Sequence, residues 1–287
     1  MKRLRMLVLG ALAALFANAA MAQESSRFGW EESVAGKPVP GGIHWQRAVT
    51  PVMEDIAWLE TFMNYILLGV MALVIGLILV VVLRFNRRTN PTPATFSHNA
   101  IIEVIWTVLP VITLIIIAIP SLKLLFFQLE VPNPDVTIKA TGSQWFWTYE
   151  YPEEEIEFAS IMLERDELEE FGYQPDEYLL ATDTRVVVPV NKVVHVLTTS
   201  TDVIHAWAIP SFGSKIDSMP GRLNETWFKA TETGTFFGQC SELCGTRHSY
   251  MPIVVEVVEQ DEYDAWIAEQ QAARQPVSSD TRLAAGN

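Results

Sequence analysis

Two stretches of this chain are too long and too apolar for most soluble folds. Phe62 to Leu83 is a run of 22 residues whose only distinctly polar side chain is Asn64, and Ile105 to Phe127 is a run of 23 with Lys123 near its far end. As helices, both are long enough to cross the roughly 30 Å of bilayer hydrocarbon. Helices buried in a soluble core rarely keep this length without a polar face. The composition agrees: 49% of the 287 residues are hydrophobic and only 19% charged, which favours a chain partly in a membrane.

The first apolar segment is of another kind. Lys2, Arg3 and Arg5 precede a short apolar run, and Ala20-Met21-Ala22 places small residues where a signal peptidase reads, so a cleaved signal peptide over 1–22 is expected. The mature N-terminus then lies outside the cytoplasm. With the first span running inward, Arg84, Arg87 and Arg88 fall in the short inner loop, as the excess of bases on cytoplasmic loops requires. The second span returns outward, so everything after about residue 128 is expected in the periplasm of a bacterial inner membrane. The organisation read from these signals is 1–22 signal, 23–57 periplasmic segment, 58–128 transmembrane hairpin, 129–262 β-domain and 263–287 C-terminal helix and tail.

Loss of the signal removes three of twenty bases and none of thirty-four acids, taking the formal charge from −14 to −17. Such a field repels nucleic acid and anionic substrates and attracts a basic protein; acidity that merely keeps the domain soluble is the plainer alternative. After the hairpin come β-branched or alternating runs, "DVTIKAT", "RVVVPV", "VVHVLTTS", "NETWFKA" and "MPIVVEVV", separated by Pro, Gly and Asn. They predict a small antiparallel sandwich or barrel. Residues 153–177 carry eleven acids and one base and read as an inserted loop with a short helix, and "DEYDAWIAEQQAAR" reads as a closing surface helix with an acidic first turn.

Both cysteines stand in "GQCSELCGTRHSYMP", followed by His248 and Met251. In an oxidising compartment a disulfide is the default, but it leaves the imidazole and thioether unexplained. Cys240, Cys244, His248 and Met251 together describe a metal loop, and their softness points to copper more than to zinc, which would leave the thioether idle. A second imidazole is best supplied by His205, just after the strand "VVHVLTTS". His195 sits mid-strand and points to the other face, while His44 and His98 lie near the membrane or inside the cell. A single blue-copper site needs one thiolate; two thiolates can bridge two copper ions, leaving one terminal imidazole for each. That arrangement suits electron transfer.

These residues, with "DVIHAWAIPS", "SKIDSMPGRLN", "GSQWFWTYEY" and "EVIWTVLP" in this order, resemble the cytochrome c oxidase subunit II family over roughly residues 55–258. The resemblance implies a two-helix transmembrane hairpin carrying an all-β cupredoxin-like sandwich or barrel, with two copper ions in a CuA centre. It implies His205, Cys240, Cys244, His248, Met251 and the Glu242 carbonyl as copper ligands, and the Glu242 side chain as ligand to a magnesium or manganese ion shared with subunit I. Trp145 matches the point where the electron from cytochrome c arrives, and Glu150, Asp183 and Asp202 match acids that face the basic rim of cytochrome c. Glu103, a carboxylate at the mouth of the second span and so a functional candidate in its own right, matches the glutamate at the entrance of a proton-uptake channel of subunit I. Pro110 and Pro120 are expected to bend that span, where neighbouring helices can accommodate them.

The implied activity is that of an oxidoreductase subunit: electrons from cytochrome c pass to the haems of subunit I, oxygen is reduced to water and protons are pumped. No C-x-x-C-H occurs in the sequence, so the donor is expected to be a separate protein. Quinol oxidase subunit II has the anchor without the copper ligands, and nitrous oxide reductase has the loop in a soluble enzyme. A membrane-anchored copper-binding β-domain, acting as a chaperone or structural receptor, would hold one labile copper or a plain disulfide. The acidic insert 153–177 is either an addition to docking or a decoration.

Overall fold

The structure, a computed structural model, describes residues 36–39, 42 and 45–274. The signal peptide, His44 and the tail beyond residue 274 lie outside the described residues. The chain forms two compact units: Glu54–Glu130, and a unit in which the segment ending at Met53 joins the chain from Val131 onward.

The first unit is built on α1 (Pro51–Arg84) and α2 (Ala100–Leu129), both long and apolar enough to cross a membrane. Each helix runs beyond the apolar stretch that announced it, because local caps set its start. Thr50 accepts from the Met53 amide at 3.1 Å, ahead of Pro51 at the first helical position. Asn99 accepts from the amides of Ile101 and Ile102 at 3.1 and 3.2 Å, and its own amide donates to Glu103 at 3.2 Å. None of the residues in the most apolar windows is buried. Side chains such as Leu68, Ile78 and Leu122 stand exposed along both helices, an arrangement that lipid, and not water, can solvate. The helix continues through Pro110 and Pro120.

The second unit is a β-sandwich. Strands β1 (Val136–Ser143), β2 (Phe146–Tyr151), β3 (Ile156–Ser160), β5 (Val194–Ser200) and β8 (Asn224–Phe228) form one sheet in the order β3-β2-β1-β5-β8. β4 (Val186–Pro189), β9 (Gly234–Gln239) and β10 (Pro252–Val258) form another, in the order β4-β10-β9, and β6 (His205–Ile209) pairs with β7 (Ser214–Ser218). The sandwich is mixed, where a purely antiparallel one was expected: β1 runs parallel to β5 and β4 parallel to β10. Alternation in sequence reports which faces are buried, and says nothing of strand direction. The regular inside-outside alternation of β1 and β5 turns Ile138, Val194 and Val196 into a core with Trp147, Tyr149, Trp207, Phe212, Phe228, Phe236 and Val255.

The acidic insert is more than a loop with a helix. Ile156–Ser160 is the edge strand β3, and the expected helix is only a three-residue 3₁₀ turn, Pro175–Glu177. Leu163, Leu168, Tyr173 and Ala181 pack on Phe237 and Val254, whose neighbours Phe236 and Val255 face the main core. The insert therefore covers the outer face of β9 and β10, which would otherwise expose apolar surface. The closing helix α3 (Gln260–Arg274) has the expected acidic first turn. It is not simply a surface helix, since Tyr263 is buried and Trp266 and Ile267 pack against the core. Charged residues between these apolar positions hide the stripe in the sequence.

The segment before α1 is stitched into this unit. The Val49 amide donates to Ser211 O and its carbonyl accepts from Thr231, Thr50 donates to Phe212 O at 2.7 Å, and Arg47 forks onto Glu232. The chain thus leaves the β-unit at α1 and rejoins it after α2.

The Tyr151 hydroxyl, fully buried on β2, accepts from the Val187 amide at 3.0 Å and donates to the Val187 carbonyl at 2.9 Å, tying the two sheets together. Tyr151→Phe strands both groups, and a buried unsatisfied partner costs about 1–3 kcal/mol. The urea midpoint of the detergent-solubilised chain, followed by tryptophan fluorescence, should fall accordingly; an unchanged midpoint would show that this bridge carries no stability.

Candidate metal centre

The pairing of β9 with β10 places Gln239 opposite Pro252. Cys240 and Met251, one residue farther on each strand, are therefore held at the two feet of the loop between them. That loop folds back through a 3₁₀ turn at His248–Tyr250. His205 opens β6, and the Ser241 amide donates to Ala206 O at 3.0 Å, bringing this strand beside the loop.

The donor atoms form a connected series. His205 Nδ1 lies 3.8 Å from Cys240 Sγ, which lies 3.8 Å from Cys244 Sγ; Cys244 Sγ lies 3.5 Å from both His248 Nδ1 and Met251 Sδ. Cys240 Sγ is also 3.3 Å from the Glu242 carbonyl. His205, Cys240, Cys244 and Met251 are buried and His248 is half-buried. A disulfide needs about 2.05 Å between sulfurs, so these are two free thiols. Each has an imidazole of its own, with a thioether beside one and a carbonyl beside the other. This donor set fits soft metal ions, and His205, Cys240 and Cys244 alone bring their ligand atoms within 4.8 Å of one another.

The electrostatics are those of a pair. Burial works against ionising Cys240, but hydrogen bonds from His205 and from the backbone at Glu242 and Ala206 outweigh it and bring the thiol down to about 6. Burial and the neighbouring Cys240 charge push Cys244 up to about 12. Burial also opposes charging His205, yet Cys240 and Asp202 raise its affinity for a proton. Two sulfurs this close do not both carry charge without a cation beside them.

Around the donors stands a frame that the sequence reading did not anticipate. Gln144 donates to Cys244 O at 2.8 Å, and Trp147 Nε1 donates to Met251 O at 3.3 Å. Two glycines permit close approach. A Cβ at Gly142 would meet the His205 ring at 2.9 Å, and one at Gly238 would meet Ala208 O at 2.0 Å. Glycine inside a strand is the one signal that could have revealed them. Trp145 packs partly buried on the core, its ring against Gly245 of the cysteine loop.

The remaining candidates are scattered. His195 faces away and pairs with Glu225 at 3.0 Å; His98 is exposed between the helices. Glu150 is engaged by Lys139 at 2.7 Å across β1 and β2, Asp183 accepts from the Ile161 amide at 2.8 Å, and Asp202 is bonded to His205 Nε2 at 2.9 Å. The Glu242 side chain is exposed, and Glu103 stands half-buried in the first turn of α2, its carboxylate accepting from the Asn99 amide.

A paired-thiol site in a cupredoxin-like sandwich, on a chain with two helices long and apolar enough to span a membrane, defines a membrane protein with a candidate soft-metal site. Residues 136–258 match the family description "cytochrome c oxidase subunit II, periplasmic domain", and 38–124 match its transmembrane domain. The chain is 45% identical over 284 residues to cytochrome c oxidase subunit 2 of Cereibacter sphaeroides, covering 94% of this chain and 92% of that one. It is 41% identical over 238 residues to the subunit 2 of Zea mays, with 80% and 90% covered. The solved periplasmic domain of subunit II of cytochrome oxidase from Bradyrhizobium japonicum is 52% identical, covering 51% of this chain and 100% of that one at a TM-score of 0.46. The chain belongs to the cytochrome c oxidase subunit II family. It is thus a membrane subunit of a haem-copper oxidase, an oxidoreductase, working beside subunit I.

Because Gly142 gives the His205 ring its space, Gly142→Ala should displace that ring while leaving the sheets intact. Copper affinity of the detergent-solubilised chain, measured by chelator competition, is expected to fall about 10- to 100-fold, the usual cost of disturbing a ligand's surroundings. Wild-type affinity would mean that the ring does not need this position.

Proposed function

We propose that this chain is the electron-accepting subunit of a cytochrome c oxidase, with a CuA centre held by His205, Cys240, Cys244, His248, Met251 and the Glu242 carbonyl. The observation that carries this reading is the pair of unbonded sulfurs at 3.8 Å, each flanked by its own imidazole nitrogen. Two copper ions held by these residues would supply a one-electron couple between cytochrome c and the haems of subunit I, where oxygen is reduced to water and protons are pumped. The protein's part is to hold the ligands in one geometry and keep water from them. Register between β9 and β10 places the feet of the loop, burial seals four of the donors, and the bonds of Gln144 and Trp147 fix the loop's carbonyls.

Trp145 is the surface at which the electron arrives. It is followed inward by Gly245 against its ring and preceded by Gln144, whose side chain reaches the Cys244 carbonyl. Cytochrome c is drawn by the acidic field of the domain, with Glu150, Asp183 and Asp202 as the candidate contacts; each already has a partner within the chain, Lys139, the Ile161 amide and His205 in turn. The exposed Glu242 side chain is offered to a magnesium or manganese ion shared with subunit I. Glu103, half-buried in the first turn of α2, serves the mouth of a proton-uptake channel. The stitching of residues 46–50 to the β-unit and the arginines between the helices support a hairpin with both ends in the periplasm of a bacterial inner membrane.

Copper content and electron paramagnetic resonance of the purified full chain test this. Two coppers per chain sharing one delocalised electron are expected, and Cys240→Ser or Cys244→Ser should abolish that signal. One localised copper, or a disulfide without metal, would instead support an anchored chaperone or structural domain. Asp183→Asn should weaken cytochrome c binding chiefly at low ionic strength, where exposed charges are least screened; an unaltered salt dependence would remove Asp183 from the docking face.

A further inference from the structure

We propose that the turn closing α1 is a binding site for the phosphate headgroup of an anionic phospholipid, held by Arg84, Arg87 and Arg88. The inference rests on α1 and α2 crossing a membrane and is independent of the metal centre.

The charges at this turn have nothing nearby in the chain to neutralise them. Between Glu60 and Glu103 the sequence contains no acid, whereas Arg84, Arg87 and Arg88 fall within five residues. All three are exposed, and among the described residues none of them enters an ion pair. Glu103, the first acid to follow, already accepts from the Asn99 amide at 3.2 Å. A guanidinium keeps its charge at any pH the protein meets.

Nor are the arginines used to finish their own helix. The last carbonyls of a helix lack intrahelical donors, and basic side chains often supply them. Here Asn86 and Thr89 do so. Asn86 Nδ2 donates to Val82 O at 3.0 Å and to Leu83 O at 3.2 Å, and the Thr89 hydroxyl donates to Arg84 O at 3.1 Å. Asn86 Oδ1 accepts from the amides of Arg88 and Thr89 at 2.9 and 3.1 Å, and its carbonyl accepts from the Asn90 amide at 2.9 Å. One asparagine thus winds the chain through a further turn, in which Arg84, Arg87 and Arg88 recur at the i, i+3, i+4 spacing of neighbours on one face.

Phe85, 58% exposed among these arginines, offers a ring to acyl chains. Guanidinium forks take phosphate oxygens bidentately, and each base near an anionic bilayer surface adds about fivefold in affinity. A free phosphate would satisfy the guanidiniums but leave Phe85 and the apolar helix before it without a partner. A phosphate joined to hydrocarbon satisfies both, so the occupant is a lipid.

The test titrates the full chain in detergent with phosphatidylglycerol and with phosphatidylcholine of the same acyl chains, following bound lipid by native mass spectrometry. Phosphatidylglycerol should bind in preference. Arg87→Gln and Arg88→Gln should each weaken it about fivefold, while Lys123→Gln, which removes a base from the other helix, should match wild type. Asn86→Ala keeps every charge but loosens the turn, so it too should weaken binding; if it loses helical circular dichroism, the arginine variants decide. Equal binding of the two lipids, wild-type binding in the arginine variants, or an equal loss in Lys123→Gln would overturn the site. Displacement of phosphatidylglycerol by an equal concentration of inorganic phosphate would make it a free-anion site and overturn the lipid as occupant. A chain that takes up neither lipid would overturn the membrane reading of the helices together with the proposal, and copper content tests the metal centre separately from every one of these outcomes.

Discussion

The site depends on one register. Because Gln239 pairs with Pro252 across β9 and β10, the two ends of a loop containing both thiols, one histidine and the thioether are brought together by backbone hydrogen bonds of the sheet. Nothing in the loop need find its partner unaided. The close contact of β9 with β6, possible only because Gly238 has no side chain, then sets His205 beside Cys240. A slip of one residue would turn alternate side chains to the opposite face, scattering the donors and inverting the core together. Stability of the sandwich and geometry of the metal centre are the same constraint met from two sides.

The frame around the donors also explains how two buried thiols can coexist at 3.8 Å. The loop's carbonyls at Cys244 and Met251 are taken by Gln144 and Trp147, which restrains the backbone from the movement that a disulfide bond would need. The same frame places Trp145 against the loop, so the residue proposed to receive the electron packs on the segment that bears the residues proposed to hold the metal.

The stitching of residues 46–50 into the β-unit has a consequence for the membrane. A chain that leaves a folded unit through one apolar helix and rejoins it through another crosses twice, whatever its absolute orientation. The acidic insert is explained in similar terms. Leu163, Leu168 and Tyr173 cover an outer sheet face, and the acids between them keep that cover soluble. The choice between docking element and decoration overlooked this third role, because apolar residues separated by charged ones over so short a span carry no regular period.

Much of this was legible in the residues. Apolar length defines the two helices, because a helix satisfies its own backbone in lipid and an unbroken apolar run of 22 residues is about twice the length of a spanning strand. Five of the strands follow from alternating or β-branched runs, and the softness of the donors points to a soft metal ion. Alternation could not reveal that the sandwich is mixed, and the aromatic run of β2 and the short strands β3, β6, β7 and β9 lack a clear period. Nor could it show that Asp202 is bonded to His205 Nε2 and to the Gln144 amide. Donor identity is a property of each residue and is written in the chain. Donor distance, strand direction and the destination of a lone pair depend on segments as much as a hundred residues apart, such as Gln144 and Cys244, and only the packed sandwich decides them.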